Sequence, residues 1–345
     1  MPAFHSGIIQ KDKKDLDFHE KKYLSWLRHS LAFKLKQTSP RKILESWTLD
    51  VTELLSDAWG EIFSKEDEVA LAFLGKLGSG ELNLSSDIDV IFFGESDVRL
   101  KKIRDYIKTV GDMNLVPAGF KVDLDLRPGG TSAPMVCSPT RLGDHLWNSS
   151  DPWERYSYTR MNIQLGSGKI IDEVTEVRDK FCYRKYLSSD FFHSFVKMRK
   201  DYRVECPKGS LNVKLGAGGI RDIELFVQTF QILHGGKDVK FRGLSTFDLL
   251  DLFVREDINK EIFEELRVNY TILRQAEGEI HALNEVGGFD WVSSGGEFDE
   301  ILFNSARSSN EIINDYIESS ENIFGSSGRV LRASSFKDKI EALIP

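Results

Sequence analysis

Residues 69–94, VALAFLGKLGSGELNLSSDIDVIFFG, contain two short apolar runs joined by a polar turn with two glycines. The runs at 69–75 and 87–94 are rich in aliphatic and aromatic residues and have the length of buried strands, so each predicts a strand. Residues 97–110 predict a short amphipathic helix, and FKVDLDLRP at 120–128 alternates and predicts a third strand that ends at its proline. This part of the chain is therefore predicted to be a compact mixed α/β unit.

The regions on both sides of this unit have helical patterns. Two helices are predicted over 15–64, and Ser39 followed by Pro40 gives the second one an N-cap and a first helical residue. Almost everything after residue 139 has helical periodicity, which makes the fold class α+β. The helices predicted there span 140–147, 152–163, 171–185, 189–203, 219–234, 245–254, 258–284 and 297–323. The predicted units are an N-terminal helical region at 1–65, a core at 66–165, a C-terminal helical domain at 166–325 and a flexible tail at 326–345.

The composition is that of an ordinary globular protein. Of 345 residues, 46 are Lys or Arg and 54 are Asp or Glu, so the formal net charge is -8. This balance argues against a protein that coats nucleic acid or an anionic membrane, because such binding needs excess positive charge. No stretch approaches the roughly 18 apolar residues of a membrane span. Three scattered cysteines and a start without an apolar run predict a cytoplasmic protein with reduced thiols.

Acidic residues stand on the second and third predicted strands. Asp87 and Asp89 are two positions apart, so the alternation of a strand places both carboxylates on one face. Asp123 and Asp125 share a face of the third strand in the same way. If the strands are neighbours, Asp123 or Asp125 can complete a three-carboxylate site with Asp87 and Asp89, whose oxygen ligands suit Mg²⁺. Such a site suits phosphoryl or nucleotidyl transfer.

The turn before the second strand favours phosphate binding. Gly78, Ser79 and Gly80 allow the backbone to approach a ligand closely and offer N–H groups to phosphate oxygens. Ser85 and Ser86 are candidates to support the first carboxylates, and Ser86 is also a candidate phosphate ligand. Each feature alone is weak, because acids on an exposed strand are usually only solvated. Their order favours function, since unpaired acids beside apolar strands destabilise a fold unless a cation neutralises them.

Several other charged residues have a plain structural interpretation. Arg221 and Glu224 lie three apart on a predicted helix, where a surface ion pair of small energy and a role near the active site are equally consistent with the sequence. Arg155, in the segment DPWERY, is equally consistent with packing and with a role near the active site. Lys76 and Lys214 precede glycine turns, where lysines are more often solvated than bound to phosphate.

Five ordered segments resemble the glutamine synthetase adenylyltransferase family, a branch of the polymerase-β-like nucleotidyltransferases. GKLGSGELNLSSDIDVIF at 75–92 resembles its signature loop and first metal strand, and VDLDLRP at 122–128 resembles its third-carboxylate strand. The other three segments are APMVCS at 133–138, DPWERY at 151–156 and KLGAGGIRDIELFVQTFQILHGG at 214–236. The resemblance covers about residues 65–285 and implies a polymerase-β-like core followed by a mostly helical domain.

The resemblance also implies roles for individual residues. Two positions depart from the family pattern: Asp125 stands where the family has the first arginine of its strand, and Asn162 stands where a second positive charge often follows DPWERY. Both departures predict weaker affinity for phosphate or nucleotide. The matched residues are Asp87, Asp89 and Asp123 for metal binding and catalysis, and Gly78, Ser79 and Arg127 for phosphate or nucleotide binding.

Full-length members of this family carry two such halves in tandem. One half attaches AMP from ATP to a tyrosine of glutamine synthetase, and the other removes it by phosphorolysis and releases ADP. The motifs here are closer to the removing half, so the resemblance implies Mg²⁺-dependent removal of AMP from glutamine synthetase. It also implies a PII-type signal protein as a regulator. Two alternatives stay open: transfer of AMP from ATP to glutamine synthetase or another target, and a nucleotide-binding regulatory module without turnover.

Overall fold

A computed structural model of the chain describes most of its residues. The described ranges are 16–95, 99–111, 119–184, 186–187, 190–283, 288–324 and 331–332. The predicted flexible tail at 326–345 lies outside them apart from its two residues at 331–332.

A small mixed sheet forms the centre of the fold. Its strand order is β3-β2-β1-β5, and β4 also pairs with β2. β1 is antiparallel to both β2 and β5, whereas β3 and β4 run parallel to β2. The strands of this sheet are β1 Val69–Phe73, β2 Ile88–Gly94, β3 Val122–Asp123, β4 Val136–Cys137 and β5 Asn162–Gly166.

Helices make up most of the rest of the described chain. Four short strands form two further two-stranded pairs, β6 Tyr186–Leu187 with β9 Leu331–Arg332 and β7 Ser210–Asn212 with β8 Asp290–Val292. The helices are α1 Phe18–Lys34, α2 Pro40–Ile62, α3 Gly75–Gly78, α4 Leu100–Val110, α5 Pro139–Asn148, α6 Pro152–Thr159, α7 Gly168–Cys182, α8 Asp190–Asp201, α9 Ile220–Gly235, α10 Thr246–Arg255, α11 Lys260–Leu283 and α12 Glu297–Phe324.

The sheet separates two apolar clusters because its strands alternate. Leu71 and Phe92 belong to the larger cluster, which contains residues of α1, α2 and the C-terminal helices. Ala72 and Ile91, one position along each strand, belong to a second cluster that contains residues of α5, α6 and α7. Both faces of the central strands are therefore buried, and only the strand ends are available to carry polar chemistry.

The α+β fold class predicted from the sequence is confirmed, and so are most of the predicted elements. The helix pair over 15–64 is present, and the Ser39 side chain caps the second helix with Pro40 at its start. Two predictions are wrong. The strand predicted over 120–128 is confined to Val122–Asp123, because the chain turns immediately afterwards. The helix predicted over 152–163 ends at Thr159, and β5 follows after two residues.

None of the helices in the described part of the chain combines the length and the apolarity that crossing a bilayer requires.

Two glycines in helices provide a test of the packing. A Cβ added at Gly278 of α11 would lie 2.2 Å from the buried ring of Phe33 in α1, whereas a Cβ at Gly60 of α2 would meet nothing within 4 Å. We expect Gly278→Ala to lower the free energy of unfolding by about 1–3 kcal/mol, because overpacking outweighs the better helix propensity of alanine. Gly60→Ala, the matched control, should raise it by about 0.5–1 kcal/mol. Urea unfolding of both variants checks this; a stabilising Gly278→Ala would contradict the packing.

Candidate active site

The strand ends bring two carboxylates side by side. Asp89 of β2 is the register partner of Asp123 of β3 in a parallel pair, so their Cα atoms are about 4.8 Å apart and their side chains leave the sheet on the same face. Gly75 packs against this pair from α3. A Cβ added there would lie 2.1 Å from Oδ2 of Asp89, and the residue has a φ of +55°. Only glycine fits that position without moving the carboxylate.

The third predicted carboxylate has a different partner. Asp87 lies just before β2 and forms an ion pair with Lys121, and both side chains are about half exposed. Within the described ranges, no three side chains of His, Cys, Asp or Glu converge on one point as a ready metal site. The oxygen donors of Asp89 and Asp123 do suit Mg²⁺, which takes few protein ligands. Asp87 as a third ligand stays a prediction.

The carboxylate of Asp89 is held in an unfavourable electrostatic environment. Burial raises its pKa to about 6, and the negative charges of Asp123 and Asp87 act in the same direction. Lys214 and Arg221 act in the opposite direction. The acidic residues therefore lie close enough to repel one another, and a cation bound between them would be favourable. These charges fit a divalent metal ion.

Two cations face these acids from the helical side. Lys214 follows β7, and its Nζ lies 4.3 Å from the centre of the Phe289 ring. Arg221, in the first turn of α9, lies over the ring of Tyr202, and its Nε is buried without a hydrogen-bond partner among the described residues. Because Lys214 and Arg221 both act on Asp89 without an ion pair to it, they are free to bind an anion beside the carboxylates.

A cavity of about 650 Å³ connects the two sets of charges. Its sheet side includes Gly75, Ser86, Asp87 and Asp89, and the buried hydroxyl of Ser85 has no hydrogen-bond partner among the described residues. Aromatic and aliphatic side chains complete the lining, and two of them, Phe289 and Tyr202, contact Lys214 and Arg221. The lining residues of this kind are Trp153, Tyr156, Met198, Tyr202, Leu225 and Phe289. Charged groups and aromatic surfaces in one cavity match the two parts of a nucleotide.

Only some of the residues predicted to bind phosphate line the cavity. Ser86 lines the cavity, but Gly78 and Ser79 do not. The N–H groups of Gly78 and Ser79 donate to the carbonyls of Leu74 and Gly75, and a Cβ at Gly78 would collide with two backbone oxygens. Arg127 is buried and donates to three backbone carbonyls. The geometry gives Gly78, Ser79 and Arg127 structural contacts, and phosphate binding by them stays a prediction.

A cluster of charges extends from the cavity wall, which Lys76 and Arg160 line, into the interior. Glu224 of α9 pairs with Lys76 of α3 and with Arg160 after α6, at 3.2 Å for the arginine, and it accepts a hydrogen bond from Tyr270 at 3.1 Å. Its side chain is 2% exposed. The surface ion pair predicted between Glu224 and Arg221 is therefore wrong, since the two side chains point to different partners.

Arg274 of α11 extends the same cluster. It pairs with Glu277 at 2.8 Å and donates to the backbone carbonyl of Glu81 at 2.9 Å. The Glu81 carboxylate accepts from the Phe247 N–H at 3.0 Å. Three cations and three carboxylates thus balance one another in the interior: Lys76, Arg160 and Arg274 with Glu81, Glu224 and Glu277. We call this set the buried charge cluster.

Sequence reasoning missed much of this region. Glu81 carries no local signal, because its partner Arg274 comes from a distant part of the chain. Arg274 and Glu277 have the i, i+3 spacing of a pair, but that spacing does not show that the pair is buried. Gly75 was detectable in principle, since it directly follows a buried strand in the same stretch that carries the acids. Lys214, expected to be solvated, is instead a half-buried neighbour of the carboxylates.

The two departures from the family pattern lie away from the cavity lining. The Asp125 side chain is 64% exposed, and its carboxylate lies 4.0 Å from Arg127. Because β3 has already ended, Asp125 does not continue the face of Asp123 as predicted; its N–H instead donates to the Asp123 carboxylate at 2.7 Å. Asn162 is exposed at the start of β5. Neither residue lines the cavity.

Comparisons with known proteins match two parts of the chain. Residues 51–176 match the family described as glutamate-ammonia ligase adenylyltransferase, and residues 197–286 match the family described as GlnD PII-uridylyltransferase. Curated relatives are named bifunctional glutamine synthetase adenylyltransferase/adenylyl-removing enzyme. The one from Nitrosomonas europaea is 31% identical over 66% of this chain and 26% of its own length. Those from Shewanella frigidimarina and Shewanella loihica are 32% and 34% identical over 61% of this chain and 24% of their own lengths.

The fold, a small mixed sheet with a helical part, is consistent with a nucleotidyltransferase core followed by helices. Over the matched residues the chain is similar to the glutamine synthetase adenylyltransferase family, and the resemblance found in the sequence is confirmed. The chain spans about a quarter of the length of the curated relatives that it matches.

The raised pKa of Asp89 predicts a pH-dependent cost to stability. A carboxyl whose folded pKa exceeds its unfolded value stabilises the fold below the unfolded pKa, and this contribution is lost as pH rises through the folded value. With a metal chelator present, wild-type stability should therefore fall between about pH 4 and pH 6 on account of Asp89. Asp89→Asn should be more stable than wild type at pH 7.5, by on the order of 1–2 kcal/mol, and equally stable at pH 4.

Urea unfolding at the two pH values measures this difference. Asp125→Asn is the matched control, because that carboxylate is exposed, and it should behave as wild type at both. An Asp89→Asn variant that is less stable than wild type at pH 7.5 would contradict the assigned electrostatics.

Removing the carboxylate at the centre of the buried charge cluster should lower the free energy of unfolding strongly. Glu224→Gln leaves Lys76 and Arg160 without their shared carboxylate in the interior, so the free energy of unfolding should fall by about 3 kcal/mol or more. Glu176→Gln, which breaks an exposed pair with Lys180, should change it little. Urea unfolding of both variants checks this, and an equal effect of the two substitutions would rule out the buried cluster.

Proposed function

We propose that this chain is an Mg²⁺-dependent nucleotidyltransferase that removes AMP from a tyrosine of adenylylated glutamine synthetase. The observation that carries the proposal is that Asp89, the register partner of Asp123, faces Lys214 and Arg221 across one cavity. Opposed acids and cations suit a metal-bound phosphate compound, because each wall neutralises one part of the ligand. The names of the curated relatives supply the protein substrate and include the removing activity.

The reaction assigned to the site is phosphorolysis. An oxygen of inorganic phosphate forms a bond to the phosphorus of AMP while the bond from that phosphorus to the tyrosine oxygen breaks. The products are ADP and a tyrosinate, which takes a proton from solvent. Phosphate is already anionic near neutral pH, so the attacking group needs no general base.

Residues of the chain have separate parts in this scheme. Asp89 and Asp123, with Asp87 as the expected third ligand, would hold Mg²⁺, which supplies charge neutralisation at the entering and leaving oxygens. Lys214 and Arg221 bind and orient the phosphate groups from the opposite wall. The aromatic side chains of the cavity receive the adenine and exclude water from it.

The proposed direction of the reaction is supported by the segments GELNLSSDID, DPWERY and GAGGIRDIE, whose sequences are closer to the removing half of the family. Addition of AMP from ATP is the alternative for the same site. A PII-type signal protein is a second proposed partner, supported by the match of residues 197–286 to a PII-uridylyltransferase family.

Incubation with adenylylated glutamine synthetase, Mg²⁺ and phosphate tests the proposal. We expect ADP to be released in proportion to the AMP lost from the substrate, and the release to stop when phosphate is omitted or the metal is chelated. Asp89→Asn should lower the rate at least a thousandfold, and Arg221→Gln should lower it tenfold or more, because each removes charge at the reacting phosphates. Arg255→Gln, an exposed control, should keep the wild-type rate.

Unadenylylated glutamine synthetase with ATP is the parallel reaction. Incorporation of AMP there, without ADP release from the adenylylated form, would reverse the proposed direction. Absence of both reactions, with an active relative as positive control, would leave a binding module and overturn the proposal.

A further inference from the structure

A second cavity, of about 450 Å³, lies on the other side of α6. Trp153 and Tyr156 of this helix line the cavity of the proposed active site, which we call the reaction cavity. Arg155 lines the second cavity. Successive residues of a helix point about 100° apart, so this division follows from helix geometry. The second cavity is therefore separated from the reaction cavity by one helix and has its own set of side chains.

Two arginines dominate the charge of this cavity. The Arg155 guanidinium lies 5.0 Å from the centre of the Phe181 ring, and the Arg184 guanidinium lies 5.3 Å from the same centre. Arg184 also stacks on the Trp147 ring at 4.2 Å. Both side chains are thus held by aromatic surfaces, and two positive charges converge on one ring. Burial, with a contribution from Arg184, lowers the pKa of Arg155 to about 10.

The carboxylates near the second cavity already form other contacts. Asp151 lines the cavity, but its carboxylate accepts the N–H of Glu154 as the cap of α6. Glu154 in turn contacts His145 at 2.6 Å and the Asp151 N–H at 2.7 Å. Among the described residues, Arg155 and Arg184 have no ion-pair partner, and Nε of Arg184 is buried without a hydrogen bond.

We propose that Arg155 and Arg184 form a second ligand site, which binds a small oxyanion of the phosphate or carboxylate class. Guanidinium groups present planar pairs of N–H donors that match the two oxygens of such an anion. The apolar walls at Leu146, Phe181 and Leu187 exclude water and strengthen that attraction. The formal charge of -8 makes this concentration of positive charge a local feature, since bulk attraction of anions is not expected.

Trp147 offers a direct readout of binding. Its side chain is 54% exposed and carries the stacked Arg184, so an anion that reorients the guanidinium changes the fluorescence of this tryptophan. Inorganic phosphate and malonate are the two probes, each added at constant ionic strength to the full chain. The measurement uses Arg221→Gln to weaken phosphate binding in the reaction cavity, and the same protein with Trp147→Phe identifies the signal of Trp147.

We expect at least one probe to change the Trp147 signal in a saturable way. Adding Arg155→Gln and Arg184→Gln together should weaken that binding at least tenfold, Arg184→Lys should weaken it severalfold by removing the paired donors, and Arg255→Gln should leave it unchanged. The tighter probe identifies the class of anion, and either result supports the site.

Two results would overturn the proposal. One is the absence of a Trp147 response to both probes in protein with intact arginines, a result that does not depend on the folding of any arginine variant. The other is unchanged affinity in a folded Arg155→Gln, Arg184→Gln protein, which would place the anion elsewhere.

Discussion

The ion pair between Glu224 and Lys76 is the contact on which the arrangement of the site depends. It joins α9 to the one-turn helix that follows β1, and it is almost completely buried. Burying charges is costly unless each is paired and hydrogen-bonded, and here Arg160 and Tyr270 complete the coordination of the Glu224 carboxylate. The pair holds the turn that carries Gly75 against Asp89 of β2, so the position of that carboxylate depends on contacts made by the helical part.

The charges at the site are organised as two opposed walls. The carboxylates lie close together on the sheet side, where Asp89 is half-buried beside Asp123. Lys214 and Arg221 occupy the helical side without ion pairs to those acids. Each wall alone is electrostatically unfavourable, and a metal-bound phosphate compound between them would relieve both. The fold tolerates this electrostatic repulsion because the surrounding structure is stabilised by the apolar clusters on the two faces of the sheet and by the buried charge cluster.

The sequence was a reliable guide to local features and a poor one to distant contacts. The alternation around Asp89 and Asp123 predicted correctly that both belong to strands of one small sheet, because a strand's period is local. The strand at 162–166 was missed, since its alternation follows a helix without a glycine or proline break. The burial of Glu224 was not predicted, because its partner Lys76 lies 148 positions earlier in the chain. No local pattern encodes such a pairing, which only packing of the helices against the core creates.

The most direct test of the account is the location of a bound metal. Crystals of the chain grown with Mn²⁺ as a substitute for Mg²⁺ and with ADP would reveal the ion by its anomalous scattering. The account predicts an ion bound by the carboxylates of Asp89 and Asp123, with the phosphates of the nucleotide between it and the side chains of Lys214 and Arg221. Nucleotide bound in the cavity with no ion at these carboxylates, or an ion held by other residues, would contradict it.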